Sequence, residues 1–118
     1  MRCDIRSGNV NLKPTTRAYI EERLNRSLGR IKDRISHVTV RFDDINGPKG
    51  GADLRCHIEV HLVRSGMILA DVVAGDLRTA IDEAADRAAL RIIKELNRQR
   101  EVRRHKNRII ALEEQTTA

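Results

Sequence analysis

A chain of 118 residues with 40% hydrophobic residues has room for one domain with a modest core. No stretch approaches the roughly 20 apolar residues of a membrane span, and the opening MRCDIRSGNV lacks the apolar run of a signal peptide, so we expect a cytoplasmic protein. Cys3 and Cys56 show neither metal-ligand spacing nor a disulfide framework, and we expect both to be small, reduced, buried side chains.

The formal net charge of +6 is concentrated in one part of the chain. Residues 1–86 contain 14 Lys and Arg against 13 Asp and Glu, whereas residues 87–108 contain nine against two. The last ten residues carry only Glu113 and Glu114. A local surplus of this size indicates a polyanionic partner, and nucleic acid or a nucleic-acid-rich particle is the leading candidate.

The first half of the chain predicts a strand, a helix and a second strand. Residues 2–7 alternate, with Cys3 and Ile5 on one side. The segment KPTTRAYIEERLNRSLGRI, residues 13–31, has helical apolar spacing, and Thr15 or Thr16 is expected to cap it. Residues 37–43 alternate again and predict the second strand.

The second half predicts two strands and a long helix. The loop NGPKGG, residues 46–51, interrupts the chain, and strict alternation over residues 54–62 then gives the clearest strand. A tight connection leads to a fourth strand over residues 67–74. Asp76 is expected to cap the second helix, where its oxygen and its charge both suit the positive helix end.

This order predicts an α+β domain over residues 1–98. The helix between the first two strands implies that they are parallel, and the short later loops imply antiparallel neighbours. The fold is therefore a two-layer β-α-β-β-β-α arrangement, with a four-stranded mixed sheet and two helices packed on one face. Residues 99–118 form a basic and then polar extension with little apolar seam, expected as a frayed helix or a segment disordered until bound.

The second helix places its charges on one line. At 100° per residue, an alanine-rich apolar stripe faces the sheet, and a row of bases flanks it within a sector of about 60°. The row extends along roughly 16 Å of helix, a length that suits several backbone phosphates. Compensation of the helix macrodipole also favours acids early and bases late, but it does not require a single row. The four bases in the row are Arg87, Arg91, Lys94 and Arg98.

Other sites carry weaker signals. The predicted open face of the sheet offers Arg41, Arg55, His57, Glu59, His61 and Asp71. With one Tyr, one Phe and no Trp in the chain, a base-stacking platform is missing, so phosphates and RNA shape are the expected targets.

His57 and His61 are about 13 Å apart along their strand, too far to share one metal ion. The sequence shows no pattern typical of a catalytic nucleophile, a metal site or a phosphate-binding loop. We therefore expect no enzyme activity, no cofactor and no small-molecule substrate.

Four segments resemble the bacterial ribosome hibernation-promoting factor family, also called ribosome-associated inhibitors and, in older usage, sigma-factor modulation proteins. They are IRSGNVNL at 5–12, RAYIEERL at 17–24, RISHVTV at 34–40 and DLRTAIDEAADR at 76–87. The last is the most specific, since it is similar to the family signature D-[ML]-Y-A-A-I-D-x-x-x-D-[KR]. The sequence departs from the family pattern at Leu90, where a base is usual, and at Arg78, which replaces an aromatic residue.

The resemblance implies a translation inhibitor that binds the small ribosomal subunit and its ribosomal RNA, in competition with mRNA and tRNA. Arg87 and Lys94 match basic positions of the family, and we add Arg91, Arg98 and Arg78 as predicted RNA-binding residues. The length resembles that of short family members, which lack a domain that pairs ribosomes.

Besides an enzyme, which would need a pocket with convergent polar groups, two alternatives remain at the level of the sequence. A regulator that binds a protein, such as a transcription modulator, would need an apolar patch, for which the outward Leu90 and Ile93 are the only hint, unless they contact the tail. A generic double-stranded RNA-binding module would usually place lysines at the start of its second helix, where this chain has Asp76, Asp82 and Glu83.

Overall fold

A computed structural model of the protein describes residues 1–45, 53–64 and 66–116. The predicted NGPKGG loop lies outside the described residues. The elements are β1 (Arg2–Arg6), α1 (Pro14–Leu28), a 3-10 helix (Gly29–Arg34), β2 (Ile35–Asp44), β3 (Leu54–Leu62), β4 (Met67–Ala74) and α2 (Leu77–Thr116). None of the described helices combines the length and the apolar character needed to cross a bilayer.

The sheet has the predicted topology. Its order is β1-β2-β3-β4, with β1 parallel to β2 and the other two pairs antiparallel. The right-handed crossover rule for parallel strands places α1 over one face, and α2 packs on that face as well, against β3 and β4. The α+β prediction is therefore confirmed, with β1 and β4 as the two edges of the sheet.

One continuous core lies between the sheet and the helices. Alternate residues of β2, β3 and β4 face it, with Phe42 as its largest side chain, and α1 contributes Ile20, Leu24 and Leu28. On α2 the predicted stripe is buried apart from Leu77, which is partly buried, and alanines make up most of the buried residues. Because an alanine side chain ends at Cβ, the axis of α2 can lie close to the sheet. The buried α2 residues are Ala80, Ile81, Ala84, Ala85, Ala88 and Ile92.

The first helix differs from the prediction at both ends. Its N-cap is Lys13, with Pro14 as the first helical residue and no capping side chain, so the expected threonine cap was wrong. Proline fixes φ near the helical value and lacks the N–H that would be unsatisfied there, which explains the earlier start. Residues 29–34 form the 3-10 helix instead of prolonging α1. At the start of α2, by contrast, Asp76 accepts a hydrogen bond from the Thr79 N–H at 2.8 Å, as predicted.

The extension is helical in the structure. Helix α2 has 40 residues and continues past the domain, and the molecule measures 73 Å along its longest axis and 24 Å along the next. Residues 100–115 are all exposed, so backbone hydrogen bonds, and not contacts with the sheet, support this part of the helix. Whether residue 98 marks a functional boundary stays a prediction.

The open face of the sheet carries pairs of opposite charge. Arg55 donates two hydrogen bonds to the Asp71 carboxylate, at 2.8 and 2.9 Å, and His57 Nδ1 lies 3.1 Å from the same group. Glu59 contacts His61, whose ring stacks on His37 with centroids 4.1 Å apart. The hydrogen bonds from Arg55, together with His57, lower the pKa of Asp71 to about 2.

Gly8 provides a test of the connection between β1 and α1. Its φ is +57°, and a Cβ there would meet Asp43 Oδ1 and lie 2.6 Å from the Phe42 carbonyl oxygen. We expect Gly8→Ala to lower the free energy of unfolding by roughly 2 kcal/mol or more, through the left-handed backbone and this contact. Gly29 is the control, because its φ is −59° and its Cβ position is open. Gly29→Ala should stabilise by about 0.5–1 kcal/mol in urea denaturation, and equal effects of the two variants would contradict this account.

Asp71 predicts a dependence of stability on pH. Its folded-state pKa lies below the unfolded value of about 3.9, so the ionised carboxylate stabilises the fold above roughly pH 4, and this contribution is lost as the pH falls toward 2. The side chain is 45% exposed, which limits the contribution to about 1 kcal/mol or less. Urea denaturation should show Asp71→Asn less stable than the unmodified protein at pH 7, with a difference that shrinks between pH 4 and pH 2. A constant difference over that range would rule out the ionised carboxylate as its source.

Candidate nucleic-acid interface

The predicted row of bases forms an exposed ridge along α2, beside the edge strand β4. We call it the basic ridge and define it as Arg87, Arg91, Lys94 and Arg98, all of which are exposed. The alanine stripe sets the rotation of α2 about its axis, because those residues must face the sheet. The flank that carries the ridge consequently lies along the free edge of β4.

Two members of the ridge bind the edge strand directly. Arg87 donates a hydrogen bond from Nη1 to the Asp71 carbonyl oxygen at 2.8 Å, and Arg91 donates one to the Leu69 carbonyl oxygen. Alternate carbonyls of an edge strand point away from the sheet, and these two acceptors are two residues apart as that geometry requires. Each guanidinium has five N–H donors and uses one in this contact, so both can still bind a phosphate.

The other two members differ in their surroundings. Arg98 donates two hydrogen bonds to Glu95, at 3.0 and 2.7 Å, which raise the pKa of Arg98 and lower that of Glu95. Lys94 has no hydrogen bond or ion pair with any residue that the structure describes. Lys94 is thus the member whose charge is committed to no other described group.

Arg78 does not belong to this ridge. Its guanidinium carbon lies 4.7 Å from the centroid of the Tyr19 ring, on the flank of α2 that faces α1. Since 13.5 Å of helix, at about 1.5 Å per residue, also separates it from Arg87, the two cannot share one phosphate. The structure thus brings four of the five predicted RNA-binding residues together and places Arg78 apart.

The acids in the first half of α2 bind α1. Asp82 accepts hydrogen bonds from the Tyr19 hydroxyl at 2.8 Å and from Arg23 Nε at 3.0 Å. Arg23 also donates to Asp86 at 2.8 Å. The hydrogen bond to Asp82 raises the pKa of Tyr19. Macrodipole compensation favours acids at this end of the helix, and the structure also gives Asp82 and Asp86 partners across the interface between the helices.

Two further arginines, neither of them predicted from the sequence as a binding residue, belong to a second basic surface. Arg34, at the end of the 3-10 helix, and Arg64, just after β3, lie with Arg103 of α2 around a concavity. The three are far apart in the chain and show no periodicity, so no sequence signal could have grouped them. They meet because the end of β3 lies between the 3-10 helix and α2.

Metal and thiol chemistry find no support in the described part of the chain. No group of three or more His, Cys, Asp or Glu side chains there could hold a metal ion. Both cysteines are free, and Cys56 is buried whereas Cys3 is only half-buried. Burial raises the pKa of Cys56 to about 12 and that of Cys3 to about 11, so both thiols are protonated and unreactive at neutral pH.

Comparisons with known proteins agree with this architecture. The sequence matches the family described as Sigma 54 modulation protein / S30EA ribosomal protein over residues 3–100. Comparison with curated protein sequences found no match. The N-terminal domain of Protein Y from Thermus thermophilus is 26% identical with a TM-score of 0.63, and the alignment covers 78% of this chain and 96% of that one. A ribosomal subunit interface protein from Coxiella burnetii is 19% identical with a TM-score of 0.61, covering 86% and 99%, a likeness that shows the fold alone.

The family match includes the sheet apart from Arg2, all of α1 and the full basic ridge. It also includes the motif at residues 76–87, in which Asp76 caps α2 and Asp82 and Asp86 fasten it to α1. Two of the segments on which the resemblance rested, residues 17–24 and 76–87, are thus the ones that join α2 to α1. This chain belongs to the Sigma 54 modulation protein / S30EA ribosomal protein family, the family of ribosome hibernation-promoting factors.

Proposed function

We propose that this protein is a translation silencer that binds the small ribosomal subunit in the channel used by mRNA and tRNA. The basic ridge contacts phosphates of ribosomal RNA, and the bound protein excludes mRNA and tRNA from idle ribosomes. The proposal places the protein in the cytoplasm and requires no catalysis or cofactor. Membership of a ribosome-associated family supports it.

The observation that carries the proposal is the difference in charge between the ridge and the open face of the sheet. On the open face Arg41, Arg55 and His57 each have an acidic partner within 3.1 Å. Among the residues that the structure describes, Arg98 is the one member of the ridge paired with an acid, and Arg87 and Arg91 bind neutral carbonyls. A polyanion therefore meets uncompensated positive charge on α2 and nearly balanced charge on the sheet.

A protein partner is the second candidate, because Leu90 and Ile93 are 70% and 46% exposed. The continuous helix carries the tail away from them, so the tail does not cover them in this structure. Sigma 54 modulation, which the family description names, is the kind of activity that such a contact would serve. The acids at the start of α2 count against a generic double-stranded RNA-binding module, as they did in the sequence.

Lys94→Glu is the sharpest test of the ridge. Arg87 and Arg91 also hold the edge of β4, so replacing them changes the fold and the surface together, whereas Lys94 has no described partner to lose. A hydrogen bond to a charged group contributes about 1.5–3 kcal/mol, so we expect binding to ribosomes to weaken roughly 10- to 100-fold. The measurement is co-sedimentation of purified protein with ribosomes and with isolated subunits.

The matched control is Lys32→Glu, which makes the same charge change at an exposed lysine on the 3-10 helix. It should co-sediment with the small subunit as the unmodified protein does. Equal losses in the two variants would point to net charge alone and contradict a localised ridge. If the unmodified protein stays in the supernatant and Leu90→Ala abolishes capture of a protein partner, the regulatory alternative replaces the silencer.

The dependence of binding affinity on salt concentration measures the number of phosphate contacts. Four contacts predict a slope of log affinity against log salt concentration of about −3 to −4. Lys94→Gln removes one cation without adding a repulsive charge, and it should make the slope shallower by about one unit. Titrations between about 50 and 200 mM salt measure both slopes, and a slope near zero for the unmodified protein would refute phosphate binding by the ridge.

A further inference from the structure

A concave groove lies where the 3-10 helix, the end of β3 and the middle of α2 meet. Its volume is about 330 Å³, within the range of small-ligand sites. The apolar side chains Leu62, Val63 and Leu96 line it, and we call them its floor. Arg34, Arg64 and Arg103 line it with positive charge. A smaller concavity of about 60 Å³ adjoins it, and there Arg100 joins Arg34 and Arg103.

Backbone contacts hold the groove in shape without any ligand. The Val63 N–H donates to the Arg34 carbonyl oxygen at 2.8 Å, which joins the end of the 3-10 helix to the end of β3. The Leu62 N–H donates to the Gly66 carbonyl oxygen at 3.1 Å and closes the turn before β4. Gly66 has a φ of +104°, a conformation that glycine adopts without strain. The walls from the 3-10 helix and the end of β3 are therefore parts of the folded domain, and Arg103 completes the groove from the exposed part of α2.

The arginines around the groove have no acidic partners among the described residues. The structure pairs Arg6, Arg23, Arg26, Arg41, Arg55 and Arg98 with carboxylates within 3.2 Å. It gives Arg34, Arg64, Arg100 and Arg103 no such pair, although Asp33 lies on the same wall. Four guanidinium groups and one carboxylate leave a surplus of positive charge at a concave, partly apolar surface.

We propose that this groove binds a nucleoside phosphate, with the base on the apolar floor and the phosphate among the arginines. Guanidinium groups bind phosphate oxygens through paired N–H donors and also stack on the faces of bases. An inorganic anion would use the arginines and leave Leu62 and Leu96 uncovered, whereas a nucleotide uses both. Either a free nucleotide or an unpaired nucleotide of RNA presents this chemistry.

The groove is separate from the basic ridge. At 100° per residue, Leu96 and Arg103 lie about 160–180° around α2 from Lys94. The ridge borders the edge of β4, and the groove borders the 3-10 helix. The inference therefore does not rest on ribosome binding, and its test uses the isolated full chain.

The experiment measures binding of ATP, GTP, a five-nucleotide single-stranded RNA and pyrophosphate by isothermal titration calorimetry. We expect the protein to bind at least one nucleotide source, and Arg64→Glu/Arg103→Glu to weaken that binding at least tenfold. The control is Arg104→Glu/Arg108→Glu, which makes the same charge change on the part of α2 that does not line the groove. The control should bind within about twofold of the unmodified protein, if the groove and not net charge is responsible.

A second measurement needs no variant. Nucleotide added to the unmodified protein should shift the NMR methyl signals of Val63 and Leu96 and leave that of Leu90, on the other side of α2, in place. Preference for ATP or GTP over the oligonucleotide identifies a free nucleotide as the ligand, and the reverse preference identifies an RNA nucleotide.

Three results would overturn the inference. They are the absence of binding to every nucleotide probe at millimolar concentration, binding that the groove variant leaves unchanged, and pyrophosphate affinity equal to that of ATP. Equal affinities for pyrophosphate and ATP would show that the base does not contact the apolar side chains of the floor.

Discussion

The close approach of α2 to the sheet is the contact on which the rest of the structure depends. Ala80, Ala84 and Ala88 are buried along one stripe, and their short side chains let the helix backbone approach β3 and β4. Interiors pack densely, so a larger side chain there would force the helix outward or turn it about its axis. That packing fixes which residues of α2 lie at the edge of the sheet and which face solvent.

Arginines from both helices cover the two edges of the sheet. Arg17 of α1 reaches the Ile5 carbonyl of β1 at 3.4 Å, and Arg87 and Arg91 of α2 reach β4. Exposed strand edges invite pairing with other chains, and a charged side chain at the edge opposes it. Arg87 and Arg91 thus both stabilise the fold and provide surface charge. A substitution of Lys94 changes the surface charge without removing a described contact of the fold.

The acids near the start of α2 and the bases near its middle have different partners. Near its start, Asp82 and Asp86 bind Tyr19 and Arg23 of α1, so their charges are used within the protein. Near the middle, Lys94 has no partner among the described residues. The acids hold the helix in place and Lys94 is left for a ligand, a division that macrodipole compensation alone does not require.

Local pattern and spacing determined much of this protein. Alternation in the strands, helical spacing and the Asp76 cap gave the order of elements, and the loop lengths gave the parallel and antiparallel pairings, because each depends on neighbours in the chain. The basic ridge could also be predicted from the sequence, since residues three and four apart on a helix share a face whatever the helix packs against.

Tertiary structure alone decided the rest. The placement of Arg78 on Tyr19 and the use of Asp82 and Asp86 at the helix interface required knowing which flank of α2 meets α1. The groove required three segments distant in the chain to meet. Periodicity describes a face of one element, whereas a contact between elements depends on how they pack. For that reason the sequence determined the fold and the ridge, and only the packed structure decided which charges are used internally and which remain for a partner.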